Sequence, residues 1–350
     1  EGALTIESGL SFIVNGSANV MQSGTLDVMG SSQYLQEEGL FTFAAGAISG
    51  TVRLHGTRVF VADTATSTST IRVVGDNNVF LGNLSETVTI WLEGHRTWGY
   101  SRLYVDQDAE NHGTLRLETT SSDGYDQSTY LRTRNGARLI NTSTGRIQSY
   151  AGAGDSRRLD GIFVNRGQFE TSTSTYLRTG TLEADGGTYG DRFYVTGVNL
   201  KITSPAASPT RIHVFGDDNH LLTDNLANTE LWIEGNTNWS YARLYVDQSS
   251  VNHGLIRMET TSNDGYNRST YLTVLNGTLT NAADGRIDAG YGSGDDRYFT
   301  GNLINEGTIS VESGLTFTVN GSPNVVQAGT LDIAGASQYL QEGGQFSFTA

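Results

Sequence analysis

The residues best suited to binding lie in a stretch that occurs twice, "WGYSRLYVDQ" at 98–107 and "WSYARLYVDQ" at 239–248. Trp, Tyr and Arg are the usual anchors of protein interfaces, and flat aromatic rings beside Arg and Asp also suit stacking on sugar rings. If the stretch is a strand, alternate residues face the same way, which predicts one outward binding stripe in each copy. The two predicted stripes are Trp98, Tyr100, Arg102, Tyr104 and Asp106, and Trp239, Tyr241, Arg243, Tyr245 and Asp247.

The two stripes are identical, whereas the residues between them change, since Gly99 becomes Ser240 and Ser101 becomes Ala242. The outward residues of the strand are therefore more similar between the two copies than the inward residues are. Two other interpretations stay open. A loop of the same chain covers the stripes, or they form exposed ladders between neighbouring strands without binding anything.

Acidic, glycine-rich corners could hold a cation, because oxygen-rich loops bind Ca²⁺. They lack the spacing of an EF-hand and of calcium-binding nonapeptide repeats, and Asp-Gly and Asn-Gly are also common turn residues. Weak Ca²⁺ binding is the one cofactor that we consider. No metal site is predicted, because His112 and His253 each stand alone in "NHG". The corners are 75–78, 121–126, 152–155, 216–219, 262–267 and 292–296.

Catalysis is not predicted, and no catalytic residue is assigned. Enzymes that cleave glycans need one cluster of carboxylates in a groove. Here the candidates Glu118 and Asp123 recur as Glu259 and Asp264. Duplication of a whole stretch fits a scaffold better than it fits a single active site.

These residues belong to a repetitive chain. Residues 1–45 align with 306–350 at an offset of 305 residues with 29 of 45 identical, and 71–131 align with 212–272 at an offset of 141 with 32 of 61 identical. The second repeat extends to 71–166 with 212–305. "STYLRT" also occurs twice, 46 residues apart. A unit of about 23–24 residues makes all three spacings commensurate.

Each unit contains short alternating runs such as "TLDVMG", "TIWLEG" and "TLRLET", flanked by Gly or Asn. Two or three such strands fill one unit, and one coil cannot bury its apolar face without a neighbour. The pattern therefore predicts an all-β fold, a parallel β-solenoid with coils of about 23–24 residues. We expect one continuous solenoid over 1–350 and no separate domains.

"ENHGTLRLET" (110–119), "VNRGQFETS" (164–172) and "INEGTISVES" (304–313) resemble the N-x-G coil signature of right-handed β-helical bacterial surface adhesins. The nearest families are autotransporter passengers and filamentous-haemagglutinin-like exoproteins. The resemblance implies a secreted or surface-displayed stalk, adhesin or matrix fibre. The near-identical repeat at 305 residues points further to a giant repetitive fibre protein.

Composition fits this expectation. The net charge of −15 disfavours nucleic acid as a partner, and no apolar run is long enough to predict membrane insertion. We therefore predict an extracellular or cell-surface structural segment, a rod-like spacer and self-association scaffold. Its expected partners are copies of itself, end to end or side by side, with glycans as a second class. The alternatives are a carbohydrate-binding adhesin that uses the stripes and, third, a polysaccharide lyase or hydrolase. Because the sequence starts and stops within its repeat, we expect it to continue on both sides.

Overall fold

The computed structural model describes the chain except residues 1, 121–126, 153–156, 238–239, 262–267, 291, 293–296, 322 and 350. It is an all-β parallel β-solenoid of about 15 coils, as predicted, and none of the described residues is helical. The chain divides into two compact units, Glu1–Tyr176 and Leu177–Ala350. Each unit contains one copy of each internal repeat. No helix in the described part of the chain could span a membrane.

The strands that begin in the first unit are β1 (Ala3–Ile6), β2 (Ser11–Val14), β3 (Asn19–Gln22), β4 (Thr25–Val28), β5 (Gln33–Glu37), β6 (Leu40–Phe43), β7 (Ala47–Ser49), β8 (Val52–His55), β9 (Arg58–Val61), β10 (Ser69–Val74), β11 (Asn78–Leu81), β12 (Val88–Gly94), β13 (Ser101–Val105), β14 (Ala109–Asn111), β15 (Thr114–Thr119), β16 (Thr129–Thr133), β17 (Arg138–Asn141), β18 (Arg146–Ser149), β19 (Arg157–Asn165), β20 (Gln168–Thr171) and β21 (Thr175–Asp185).

Those that begin in the second unit are β22 (Thr188–Tyr189), β23 (Phe193–Val195), β24 (Val198–Ser204), β25 (Thr210–Val214), β26 (Gly216–Leu221), β27 (Thr229–Gly235), β28 (Ala242–Val246), β29 (Ser250–Asn252), β30 (Leu255–Thr260), β31 (Thr270–Asn281), β32 (Arg286–Ala289), β33 (Arg297–Asn305), β34 (Thr308–Val311), β35 (Thr316–Asn320), β36 (Asn324–Gln327), β37 (Thr330–Ile333), β38 (Gln338–Gln341) and β39 (Gln345–Phe348).

The described strands pair in parallel with strands of neighbouring coils. In the first unit, β8, β10, β12, β15 and β18 follow one another on one face, while β9, β11, β13, β16 and β19 do so on another. In the second unit the corresponding series are β25, β27, β30, β32 and β34, and β26, β28, β31, β33 and β35. Every described face is thus built by stacking, as a solenoid requires.

The coils are less uniform than their mean. About 15 coils in 350 residues agree with the predicted period, but paired residues lie from 18 apart, at Gly180 and Val198, to 32 apart, at Thr114 and Arg146. Leu131 of "STYLRT" pairs with Leu159, 28 residues later. The coil that begins at Leu131 is therefore longer than the predicted unit of 23–24 residues. Backbone pairing fixes the strands, whereas the corners between them tolerate insertions at small entropic cost.

The core consists of the inward half of each alternating strand. In β12, Val88, Ile90 and Leu92 are buried, while Thr89 and Trp91 face outward and are only partly covered. The strands that stack on β12 place Ile71 and Leu115 beside Ile90. Like side chains thus meet in successive coils and form a continuous apolar column.

A ladder of buried asparagines runs beside this apolar column. In the first unit, Nδ2 of Asn111 donates to Oδ1 of Asn141 at 2.7 Å, and Nδ2 of Asn141 donates to Oδ1 of Asn165 at 2.9 Å. In the second unit, Asn225, Asn252, Asn281 and Asn305 continue in the same way at 2.7–2.8 Å, and Asn305 donates to Oε1 of Gln327 at 3.1 Å. Each buried amide therefore satisfies the next.

The glycine of the N-x-G signature is required by the close approach of successive coils. A Cβ at Gly113, Gly167, Gly254 or Gly307 would lie 2.2–2.3 Å from a backbone oxygen of the preceding coil. Only glycine allows the chain to pass that close. The signature thus combines an amide that links coils with a corner that has no room for a side chain.

Candidate functional site

Strand β13 carries the centre of the first stripe. Ser101, Leu103 and Val105 are fully buried, so the predicted alternation is correct within the strand. It is wrong at Trp98, which lies in a turn closed by a 3.0 Å hydrogen bond from the backbone N–H of His95 to the carbonyl oxygen of Gly99. The φ of Gly99 is +68°, which takes the chain out of the extended conformation. Trp98 therefore does not extend the stripe.

Three members of the first stripe, Tyr100, Arg102 and Tyr104, converge on one carboxylate from the preceding coil. Asp76 accepts hydrogen bonds from Nη1 of Arg102 at 2.9 Å and from the hydroxyls of Tyr100 at 3.2 Å and Tyr104 at 3.3 Å. We call these four residues the Asp76 cluster. Each of these contacts joins residues 24–28 apart in sequence and therefore links two coils.

Aromatic rings surround the cation of this cluster. The guanidinium carbon of Arg102 lies 4.9 Å from the ring centre of Tyr100, 5.8 Å from that of Tyr104 and 5.0 Å from that of Tyr130. These distances are within the range of cation–π attraction. Burial alone would raise the pKa of Asp76, but the Asn77 backbone N–H, the charge of Arg102 and the two hydroxyls outweigh it and lower that pKa.

Asp106, the last member of the first stripe, is held by the following coil. Nε and Nη2 of Arg134 each donate to its carboxylate at 2.7 Å. The same guanidinium lies 3.6 Å from the ring centre of Tyr104 and leaves that residue 8% exposed. The outward groups of this stripe are thus bound to side chains of the neighbouring coils and are only partly exposed.

The second unit repeats the arrangement around Asp217. The hydroxyl of Tyr241 donates to Asp217 at 3.1 Å, Arg243 lies 3.6 Å from the same carboxylate, and Nη1 of Arg243 donates to the hydroxyl of Tyr245 at 2.9 Å. These four residues form the Asp217 cluster. Trp239, predicted for this stripe, lies outside the described residues.

The second stripe is more open than the first. Leu275 stands where the first unit has Arg134, so the ring of Tyr245 has Arg243 at 5.6 Å but, among the described residues, no counterpart of the Arg134 that packs on Tyr104, and Tyr241 is 39% exposed. Asp247 is bound instead by Nδ1 of His220 at 2.6 Å.

His220 has no counterpart in the first unit, where the same position is Val79. Its Nε2 lies 3.2 Å from Asp218, and its ring stacks on that of Tyr245 with 5.0 Å between centres. Burial alone would lower the pKa of His220, but the hydrogen bonds and charges of Asp247 and Asp218 outweigh it and raise that pKa.

Trp98 contacts a different group of residues. Its ring lies 5.5 Å from the guanidinium of Arg53, which binds the buried carboxylate of Glu93 at 3.0 Å. Arg72, at 3.1 Å, and the hydroxyl of Thr120, at 2.8 Å, also bind Glu93. Burial would raise the pKa of Glu93, but the hydrogen bonds and charges of the two arginines lower it. Sequence reasoning missed this Glu93 cluster.

The second unit has a changed version of the Glu93 cluster. Glu234 corresponds to Glu93, and His213 replaces Arg72 and lies 2.8 Å from the Glu234 carboxylate. The repeated "WLEG" and "WIEG" held the signal, because Glu is retained at a strand end where it is buried. In both copies an outward Trp stands two residues before this Glu. In the first copy, Arg72 and Arg116 each lie 4.2 Å from the Trp91 ring, so both flank the indole.

A buried arginine is a second feature that the sequence analysis missed. Arg157 and Arg297 are fully buried, and their Nη2 atoms donate at 3.0 Å to the carbonyl oxygens of Tyr150 and Gly290. Burial lowers the pKa of Arg157 to about 10, although the charge of Glu118 opposes the shift. The two arginines lie 140 residues apart, one fewer than the offset of the internal repeat, so the ungapped alignment does not pair them.

The acidic corners that the structure describes use their polar groups internally. Asp76 and Asp217 bind Arg and Tyr, and the buried amide of Asn78 donates to the Val74 carbonyl oxygen at 3.0 Å. The corners 121–126 and 262–267, with Asp123 and Asp264, lie outside the described residues, as do most of 152–155 and 292–296. In the described part, no group of three or more His, Asp or Glu could hold a metal ion. Weak Ca²⁺ binding stays a prediction.

The remaining candidates have ordinary partners. Glu118 pairs with Arg116 at 2.5 Å, and Glu259 lies 3.7 Å from Arg257. His112 contacts the carboxylate of Glu110 at 3.0 Å, and His253 contacts that of Asp284 at 2.8 Å.

Comparison with known proteins adds no relative. No family model, no curated protein and no solved structure matches the chain. The fold and the side-chain contacts are therefore the basis of the functional proposal.

Proposed function

We propose that this chain is a structural segment of a repetitive extracellular fibre, stalk or adhesin, acting as a rod-like spacer and self-association scaffold. The observation that carries the proposal is the use of the outward charged and aromatic groups. In both units they bind the neighbouring coil of the same chain, around Asp76 and around Asp217.

A spacer must resist separation of its coils, and these contacts suit that need. The backbone ladders and the asparagine ladder hold the inside of each coil to the next. The Asp76 cluster adds a link on the outside, where partly exposed ion pairs contribute about 0.2–1 kcal/mol each. Small terms of this kind add up along a stack because each coil contacts only its neighbours.

The expected surroundings of the protein follow from the same proposal. Secretion or display at the cell surface is our inference from the resemblance of its N-x-G coils to those of surface adhesins. Copies of the same chain are the partners that a repetitive scaffold would meet. The charge of −15 favours solubility and argues against nucleic acid.

Carbohydrate binding is the second candidate, and one observation favours it in the second unit. Tyr241 is an exposed aromatic ring with Asp217 and Arg243 beside it, and Leu275 leaves this stripe without the arginine that covers Tyr104. An exposed ring flanked by hydrogen-bonding groups is a suitable platform for a sugar.

A glycan array probed with the full chain separates the two candidates. The structural proposal predicts no glycan signal above the blank, together with bundles or filaments in negative-stain images. The second candidate predicts a signal that Tyr241→Ala abolishes and that Tyr150→Ala, a tyrosine outside both stripes, leaves intact. Trp98→Ala combined with Trp239→Ala tests the two predicted tryptophans of the stripes in the same way. Release of reducing ends from a polysaccharide would overturn both candidates and favour an enzyme.

A further inference from the structure

The surface around each stripe has opposite net charge in the two units. We define the Asp76 face as the Asp76 cluster with Asp106, Arg134 and the outward side chains of β11, β16 and β19. The Asp217 face is the Asp217 cluster with Asp218, Asp247 and the outward side chains of β26, β31 and β33. Four arginines and three aspartates give the first face a net charge of +1, whereas one arginine and three aspartates give the second −2, with its histidine neutral. The charged residues are Asp76, Asp106, Asp160, Arg102, Arg132, Arg134 and Arg158 on the Asp76 face, and Asp217, Asp218, Asp247 and Arg243 on the Asp217 face.

The difference in charge comes from the two coils that follow the clusters. Arg158 pairs with Tyr130 in the backbone register of the first unit, and Tyr298 pairs with Tyr271 at the equivalent place in the second. An outward arginine has thus become an outward tyrosine.

An ion pair of the Asp76 face is also absent from the Asp217 face. Nε of Arg132 donates to the Asp160 carboxylate at 2.6 Å across two coils. The equivalent residues of the second unit, Thr273 and Thr300, pair in the same register but carry no charge.

The Asp217 face exposes rings and an aliphatic side chain where the Asp76 face exposes guanidinium groups. Tyr241 is 39% exposed and Leu275 is 48% exposed. The ring of Tyr271 lies 6.0 Å from that of Tyr241 and 5.1 Å from that of Tyr298, so three rings form a row. These are the side-chain types that anchor interfaces.

Contacts within the first unit show how the two faces match. There the guanidinium of Arg134 lies 3.6 Å from the ring centre of Tyr104, and that of Arg158 lies 5.4 Å from the ring centre of Tyr130. The second unit has Leu275 and a tyrosine in place of these two arginines. A surface of arginines is therefore the complement of a surface of tyrosines and aspartates.

We propose that the Asp76 face of one copy of the chain binds the Asp217 face of a second copy. The inference deepens the proposed scaffold function and rests on it, because it identifies the two surfaces through which copies associate. Two Asp76 faces, or two Asp217 faces, would bring like net charge together. The contact is therefore heterologous, and a dimer keeps one face of each kind for a further copy.

Sedimentation velocity of the full chain over a range of protein concentrations, at about 50 mM and about 500 mM salt, tests this proposal. Leu275→Arg and Arg158→Tyr each alter one face. Each introduces the residue type that the other unit carries at the equivalent position, so the fold accepts it there. Leu255→Arg is the matched control, because it adds the same side chain at a partly exposed outward position of β30, outside the Asp217 face.

We expect the unmodified chain to associate, and to do so more weakly at the higher salt concentration, because screening reduces the attraction between opposite charges. Leu275→Arg and Arg158→Tyr should each raise the dissociation constant by about tenfold or more, the effect of one interface anchor. Leu255→Arg should leave the dissociation constant unchanged.

A chain that stays monomeric, or association that all three substitutions change equally, would overturn the inference. Weakening by Leu275→Arg without weakening by Arg158→Tyr would also overturn it, since the Asp217 face would then meet a different surface. The glycan array separates this inference from the proposed function. Association that ignores both face substitutions, without a glycan signal, rejects only the inference, whereas a monomeric chain with a Tyr241-dependent glycan signal rejects the structural proposal as well.

Discussion

Replacing Asn281 by Leu tests the asparagine ladder at its centre. Nδ2 of Asn281 donates to Oδ1 of Asn305 at 2.7 Å and to the carbonyl oxygen of Thr308 at 3.1 Å, and its Oδ1 accepts from Asn252 at 2.8 Å. The residue is fully buried. Leucine has a similar size but can make none of these three hydrogen bonds.

The expected loss follows from those bonds. Three buried hydrogen bonds at about 1 kcal/mol each, plus about 1–3 kcal/mol for leaving Oδ1 of Asn305 without its donor, give a gross loss of about 4–6 kcal/mol. Burial of the leucine side chain returns about 1.5–3 kcal/mol. We therefore expect Asn281→Leu to lower the free energy of unfolding by about 3 kcal/mol.

Asn225→Leu is the matched control, because Leu84 occupies the equivalent position of the first unit and is fully buried there. Oδ1 of Asn225 has no hydrogen-bond partner among the described residues, and its strongest bond is the one to Asn252 at 2.7 Å. Burial of the leucine and removal of that unpaired oxygen offset both the lost bond and the cost of leaving Oδ1 of Asn252 without its donor. The expected change is within about 1 kcal/mol of zero.

Urea unfolding followed by far-UV circular dichroism measures both variants beside the unmodified chain. The reasoning requires a clearly lower midpoint for Asn281→Leu, a nearly unchanged one for Asn225→Leu, and equal slopes. Equal effects of the two substitutions would refute it, because the ladder would then contribute no more at its centre than at its end.

Three further predictions concern charge and backbone space. Glu93→Gln should lower the free energy of unfolding at pH 7 and reduce the further loss of stability in acid. The lowered pKa of Glu93 gives stability that is present above pH 4.5 and is lost as the pH falls through the folded-state pKa. Urea midpoints of both proteins at pH 7 and pH 3 check this. His220→Asn should lower the free energy of unfolding at acidic pH and change it little at alkaline pH. The raised pKa of His220, due mainly to Asp247, gives stability that is present below pH 6.5 and is lost as the pH rises through the folded-state pKa. Urea midpoints at pH 5.5 and 8.5 that differ by the same amount with and without His220 would contradict this. Gly307→Ala should lower the free energy of unfolding by about 3 kcal/mol or prevent folding, because its Cβ would lie 2.2 Å from a backbone oxygen. Gly314→Ala, in open space at φ +84°, should cost only about 1 kcal/mol. Thermal melts compare the two variants.

The fold could be predicted because its determinants are local. Alternation within single strands places Leu103 and Val105 inside, and the N-x-G signature marks the corner at Gly113, just after the strand that ends at Asn111. The length of each coil could not be predicted in this way. Corner lengths leave no periodic trace, so neighbours across coils are invisible in one sequence.

The same limit explains the errors at the candidate site. Alternation correctly predicts that Arg102 faces outward, but its partner Asp76 lies 26 residues away, a distance set by one particular coil. The sequence places Trp98 in the strand only by extending the alternation of the following residues backwards through Gly99. The turn at His95 depends on the positive φ of that glycine, which a period-two pattern does not reveal.

The structural account requires that the outward side chains hold neighbouring coils together. A double-mutant cycle of Asp76→Ala and Arg102→Ala, measured by urea unfolding, tests this most directly, with Asp217→Ala and Arg243→Ala as the looser pair at 3.6 Å. We predict a favourable coupling of about 0.5–1 kcal/mol for the first pair and a smaller one for the second. Additive effects for the first pair, to within about 0.3 kcal/mol, would contradict the account, since the stripe would then add nothing to the cohesion of the coils.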